Sequence, residues 1–166
     1  MVEKQGGINV TKILAYLLVT MILFGSPQHM FGGEADGQER TLISSGSKWE
    51  ELAAYSRAVV DGDWIFLSGT VGFNPEDNMI PQDFDQQMDN IFSNISNALA
   101  KADAELADIV RVRCFIVDTE YVVPMSTKLH QYLGDIRPTN TTVVTQLAAE
   151  GALIELEVTA LRRKKQ

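Results

Sequence analysis

The residues best equipped for chemistry fall in three short stretches. In "IELE" the glutamates Glu155 and Glu157 stand two apart. On a strand that spacing puts both carboxylates on one face, with Ile154 and Leu156 opposite. Two carboxylates on one face repel, and the pKa of one rises towards values useful for acid–base work unless a cation is close. The alternative is that both bind Arg57, Arg111 or Arg113 across a sheet. In "YSR" the same spacing sets Tyr55 and Arg57 on one face, so Arg57 either shares a cleft with Tyr55 or makes an ion pair at a subunit interface. The third stretch, "RPTNTT" over 137–142, packs hydroxyls and one amide before a β-branched run. It reads as a loop feeding a strand, and Arg137, ahead of Pro138, reads as a solvated or salt-bridged arginine.

Other reactive side chains carry less. Ser68 has no histidine in view to activate it. Cys114 lies within the apolar "VRVRCFIVD" and reads as a small core residue. With that single cysteine, and with His29 and His130 far apart, neither an internal disulfide nor a zinc site is expected. His130 is expected to face solvent.

The 166 residues suit one domain with a sizeable core. A net charge of −8 and a pI of about 4.7 argue against a polyanion or nucleic-acid partner, which usually meets a basic face. The basic run Arg162–Lys165 reads as a solvated chain end. Near the N-terminus, Ile13 to Phe24 is apolar but short of the roughly 20 residues that span a bilayer. With Lys4 and Lys12 beside it, the stretch matches the apolar core of a signal peptide. Met21 and Met30 are alternative starts. An exported, periplasmic protein, with residues 1–30 acting as a signal peptide, and a cytoplasmic protein with its true start at Met21 or Met30 are both open. Residues 32–41 read as a polar linker, so 1–40 is set apart from a folded domain over 41–166, for which no membrane contact is expected.

The elements that must position these groups follow from patterning. "SRAVVDGDWIFLSG" holds two β-type runs joined at Asp61-Gly62-Asp63, a hairpin signal. Residues 83–103 form an amphipathic helix, with Phe84, Met88, Ile91, Ile95, Ala98 or Leu99, and Ala102 on one face and Asp83 at its cap. A strand spans 108–118. A second helix lies within 120–134, with Pro124 near its first turn and Gly134 at its end. Strands at 141–147 and 152–162 close the chain. The order β-β-α-β-α-β-β calls for right-handed crossovers with both helices on one sheet face. The strand 110–117 is apolar on both sides, Val110, Val112, Cys114 and Ile116 alternating with Arg111, Arg113, Phe115 and Val117. An apolar second face on a two-layer domain predicts self-association.

"YSRAVVDGDWIFLSGTVG", the long helix, "VRCFIVD", "IRPTNT" and "IELEVTA", in that order from about Leu42 to Arg163, resemble the RidA/YjgF family of reactive-intermediate deaminases, also called endoribonuclease L-PSP. The resemblance implies an α+β, chorismate-mutase-like fold and a homotrimer with small-molecule clefts between neighbouring subunits. It implies hydrolysis of 2-imino or enamino acids to keto acids and ammonia, without metal or organic cofactor. Carried over by position, it implies a cleft lined by Tyr55, Ser68 and Gly69, with Glu155 as the catalytic acid that orients water. It implies further substrate contacts at Ser126, Asn140 and Thr142. The family's loop arginine, which binds the substrate carboxylate, is replaced by Asn140. An amide does not reproduce the planar, bidentate match of a guanidinium to a carboxylate.

Two readings follow: a hydrolase of imines, enamines or related C=N compounds with altered specificity, or a non-catalytic trimer that binds a small molecule in the same clefts. An RNA-cleaving role, suggested by the older family name alone, is opposed by the acidity of the chain. Arg57 is the candidate to replace the missing cation, and an Arg57 paired with Glu155 would lower the pKa of that carboxyl.

Overall fold

The structure is a computed structural model that describes residues 40–163. The apolar stretch 13–24, His29, nearly all of the linker and the last three residues lie outside the described residues. Six strands form one sheet: β1 (Thr41–Ile43), β2 (Ala58–Asp61), β3 (Trp64–Val71), β4 (Ile109–Ile116), β5 (Thr139–Val144) and β6 (Ile154–Leu161). Their spatial order is β1-β2-β3-β6-β4-β5. β4 and β5 run parallel and the other neighbours antiparallel. Three α-helices accompany them: α1 (Lys48–Leu52), α2 (Phe84–Lys101) and α3 (Val122–Leu133). The α+β class and the chorismate-mutase-like arrangement expected from the sequence are what the chain adopts.

Local chemistry accounts for the main elements. The β2–β3 hairpin turns at Gly62, whose φ of 60° costs glycine little, and Asp61 pairs with Trp64 across it. α2 starts at Asp83, whose carboxylate accepts from the Gln86 N–H, a side-chain cap. It buries Phe84, Met88, Ile91, Ile95, Ala98 and Leu99, and with them Phe92 and Gln87. This face meets Ile65 and Leu67 of β3, Val112, Cys114 and Ile116 of β4, and Ile154, Leu156 and Val158 of β6 in one core.

Three local expectations need correction. β1 and α1 were not anticipated; both are shorter than a turn or two of periodic pattern. A register shift between Ile109 and Arg111 puts Ile109, and not Val110, in the core. α3 ends at Leu133 with Gly134 as its C-cap, as expected, and the chain turns at Arg137, with φ at 52°. Thr139 and Asn140 belong to strand β5 and not to a loop; β5 begins two residues earlier than expected and ends at Val144.

Among the described residues, no element covers the second sheet face. Trp64 and Phe66, stacked at 6.3 Å between ring centroids, remain 46% and 45% exposed on it. Arg111, Arg113, Phe115 and Glu157 extend the same face. Every residue of the edge strand β5 is exposed.

Candidate functional site

The site begins at an irregularity. The register of β3 against β6 shifts between Leu67 and Thr70, so that Ser68 and Gly69 form a bulge. Opposite it, β6 presents Glu155 between Val71 of β3 and Phe115 of β4. The bulge brings the Gly69 α-carbon against the Glu155 carboxylate: a Cβ built at Gly69 would overlap Glu155 Oε1. Only glycine accommodates that contact. The Ser68 hydroxyl donates to Ser56 O at 2.7 Å and is thereby committed to the backbone.

The carbonyl of Gly69 ties in Arg57. Arg57 Nη1 donates to Gly69 O at 3.1 Å and to Thr70 Oγ1 at 3.0 Å. Its Cζ lies 5.7 Å from the centre of the Tyr55 ring, a cation–π distance. Tyr55, Arg57, Gly69 and Glu155 are therefore brought together at one end of the sheet.

The partner of Arg57 is a residue that the sequence did not point to. Glu50 of α1 is 6% exposed, and its Oε1 is 3.6 Å from Arg57 Nε. Burial alone would raise the Glu50 pKa. The hydroxyls of Ser44 and Ser45, the Ser45 N–H and the Arg57 charge outweigh it and hold the carboxyl below its usual range. α1 itself is set by Ser47, whose hydroxyl accepts from the Trp49 N–H. A five-residue helix has no apolar periodicity to reveal it.

Glu155 is in a different state from the one expected of an Arg57 pair. Burial pushes its pKa up, the Arg57 charge pulls it down and nearby Glu157 pushes it up again; the net direction is upward. Of the two open readings for the "IELE" pair, each glutamate follows one. Glu157 takes the arginines, with Arg113 Nη1 at 3.2 Å and Arg111 Nη2 at 3.8 Å, while Glu155 stays off them.

The remaining predicted residues stand apart. Asn140 pairs with Val112 and Thr142 with Cys114, so both share the helix-covered face of the sheet with that apolar pair. Asn140 Nδ2 donates to Cys114 Sγ at 3.2 Å, and Thr142 Oγ1 to Asn140 Oδ1 at 3.1 Å. Glu155 pairs with Phe115 and therefore shares the opposite face with Val143. Within one chain, Asn140 and Glu155 do not address the same volume. Ser126 is on the exposed side of α3 and gives its hydroxyl to Val122 O at 2.7 Å.

Beside Gly69 opens a groove of about 920 Å³, bounded by α1, the segment after β3 and the C-terminal half of α2. Among the described residues no group of histidine, cysteine, aspartate and glutamate is arranged to hold a metal ion, and no helix is long and apolar enough to cross a membrane.

Three comparisons bear on this arrangement. The family described as "Endoribonuclease L-PSP" matches residues 46–162. A RutC family protein of Aquifex aeolicus is 29% identical over 113 residues, 67% of this chain and 90% of that protein. Among solved structures, a member of the YjgF/YER057c/UK114 family from Mycobacterium tuberculosis is 36% identical, with a TM-score of 0.67 over 74% of this chain and 99% of that one. Yeast Mmf1, at 20% identity and a TM-score of 0.68 over 75% of this chain and 100% of its own, shares the fold.

Proposed function

The chain belongs to the endoribonuclease L-PSP family, the RidA/YjgF group, and from that premise we propose that it is a homotrimer whose intersubunit clefts hydrolyse C=N compounds other than the usual 2-imino acids. The observation that carries the reading is the Glu155 carboxyl, half-buried against Gly69 with its pKa raised. A carboxyl so placed can take a proton from water and return it within one reaction cycle.

In the proposed reaction, water bound to the Glu155 carboxylate attacks the carbon of the protonated imine. The C–O bond forms, the C=N π pair moves to nitrogen, and Glu155 accepts a proton from the water, giving the neutral carbinolamine. The protonated Glu155 then donates to the amino nitrogen of the carbinolamine. The C–N bond breaks as the carbonyl forms, ammonia or an amine leaves, and the hydroxyl proton passes through Glu155 to the departing amine. Backbone groups at the Gly69 bulge orient the water on one side. Asn140 and Thr142 lie on the opposite sheet face of their own chain, so in this reading they come from a neighbouring subunit. The apolar Trp64 and Phe66 on the uncovered face support the assembly that places them there.

The absent loop arginine sustains a second reading, a trimer that binds a small molecule in these clefts without turnover. Ammonia release from freshly generated 2-aminoacrylate and from imines lacking an α-carboxylate separates the two. The hydrolase reading expects turnover of the second group, abolished in Glu155→Gln. No turnover of any C=N compound, with ligand still bound, would leave the binding trimer.

A further inference from the structure

We infer that the groove beside Gly69 is an anion subsite, which holds a carboxylate or phosphate placed several bonds away from the reacting carbon. Four charged residues line the groove: Lys48, Arg57 and Lys101 against Glu50. The local excess is two positive charges, in a chain whose net charge is −8. Three of the four are physically linked. Lys101 Nζ donates to Ser44 O at 2.9 Å, Ser44 Oγ donates to Glu50 Oε2 at 2.6 Å, and Glu50 faces Arg57 Nε.

Arg57 is not fully used. Nη1 is spent on Gly69 O and Thr70 Oγ1. Nε is buried with no hydrogen-bond partner, its carboxylate neighbour being 3.6 Å away. Nη2 makes no hydrogen bond among the described residues and is not sealed from solvent. A guanidinium with an open edge in a groove of this size is a directional donor for an oxyanion. Neither Lys48 nor Lys101 has an acidic partner among the described residues.

The position of this cation matters more than its presence. Gly69 touches the Glu155 carboxylate with its α-carbon and the Arg57 guanidinium with its carbonyl. The reacting carbon and the anion are thus held on two sides of one residue. The subsite therefore favours a compound whose acid group is two or more carbons from the reacting carbon over an α-imino acid, whose carboxylate is bonded directly to it. This rests on the hydrolase reading for the place of the reacting carbon, but the subsite itself can be measured without turnover.

The test is calorimetric titration of the full chain with three stable carbonyl compounds of the product type: pyruvate, 4-oxopentanoate and the neutral 2-pentanone. The expected result is that 4-oxopentanoate binds about ten-fold or more tightly than either of the others, the scale of one charge-assisted contact. The preference shrinks in Lys101→Gln and Lys48→Gln and disappears in Arg57→Gln. If Arg57→Gln does not fold, because Glu50 is left buried and unpaired, the two lysine variants carry the test. Equal or tighter binding of pyruvate, or a preference untouched by both lysine variants, overturns the subsite. Selective binding without hydrolysis of any imine would count against the enzyme reading alone; hydrolysis without selectivity would count against the subsite alone.

Discussion

The Glu155 carboxylate rests against the α-carbon of Gly69, in the space a Cβ would take. The contact joins a bulge in β3 to an acid on β6, and it turns a glycine in a strand, ordinarily a weak point, into the floor of the site. Gly69→Ala is expected to push the carboxylate aside. The displaced atoms are the end of a flexible side chain, so the fold tolerates the change. Turnover of a C=N substrate should fall by roughly a hundred-fold or more, while the melting temperature stays within about 4 °C of the parent. Steady-state kinetics beside a thermal melt check both halves; unchanged turnover would remove Glu155 from the reaction.

The raised pKa of Glu155 sets a pH dependence of stability. In the folded chain the neutral form is favoured, so the folded state holds its proton to higher pH than the unfolded state. Stability is therefore lost as pH rises from the ordinary carboxyl value, 4.5, through the raised folded value, and levels off above it. Glu155→Gln removes this penalty. Melts from about pH 4 to about pH 8 should show the variant gaining on the parent across that window and not below it. Glu50, held low, has the opposite sign: its contribution is present above the ordinary value and is lost as pH falls through the folded one.

Turnover of 2-aminoacrylate is expected to be weak and to recover in part in Asn140→Arg. Because Asn140 and Glu155 lie on opposite sheet faces, that recovery must come from a second chain. Asn140→Arg/Glu155→Gln chains are expected to be inactive alone. Mixed with the parent chain by refolding, they should give activity above that of the parent, since a cleft between the two kinds of chain has both groups. Ammonia release from the mixture is the measurement, and no gain on mixing would place the two groups in separate sites.

Gln87 is fully buried and ties two segments together. Its Nε2 donates to Pro81 O at 2.7 Å and Gly151 O at 2.9 Å, and its Oε1 accepts from Leu153 N–H at 2.9 Å. Gln87→Leu takes the side-chain partner from three backbone groups, of Pro81, Gly151 and Leu153. A loss of about 1–2 kcal/mol is expected in urea unfolding, against little change for Gln86→Leu on the exposed side of the same helix.

A chain starting at Met30 is expected to fold like the full chain and to run as a trimer in light scattering. Phe66→Glu, which puts a charge in the middle of the uncovered face, should dissociate it. A truncated chain that aggregates or melts much earlier would show that the first residues contribute to the fold.

What could be read from the sequence was whatever repeats. The stripe of α2 and the Asp61–Asp63 turn are local patterns, and both are present as expected. Even Gln87 sits at helical spacing between Phe84 and Ile91, so its burial had a signal that its polarity hid. β1 and α1 span three and five residues, too short for a period to register. With α1 went Glu50, the partner of Arg57. Thr139 and Asn140 looked like loop because small polar residues favour turns; the ladder to Arg111 and Val112 overrides that preference. The state of Glu155 depended on which glutamate the arginines of β4 reach, and alternation places both glutamates on the face without choosing between them.

The opposite facing of Asn140 and Glu155 changes what a correlated change between these two positions would mean. In most proteins, paired substitutions mark two side chains that touch inside one folded chain. Here the sheet stands between them. If relatives that regain an arginine at position 140 also alter position 155, that correlation is a record of one copy of the chain meeting another. It would have to be scored as an intermolecular restraint in any attempt to build the assembly from sequences.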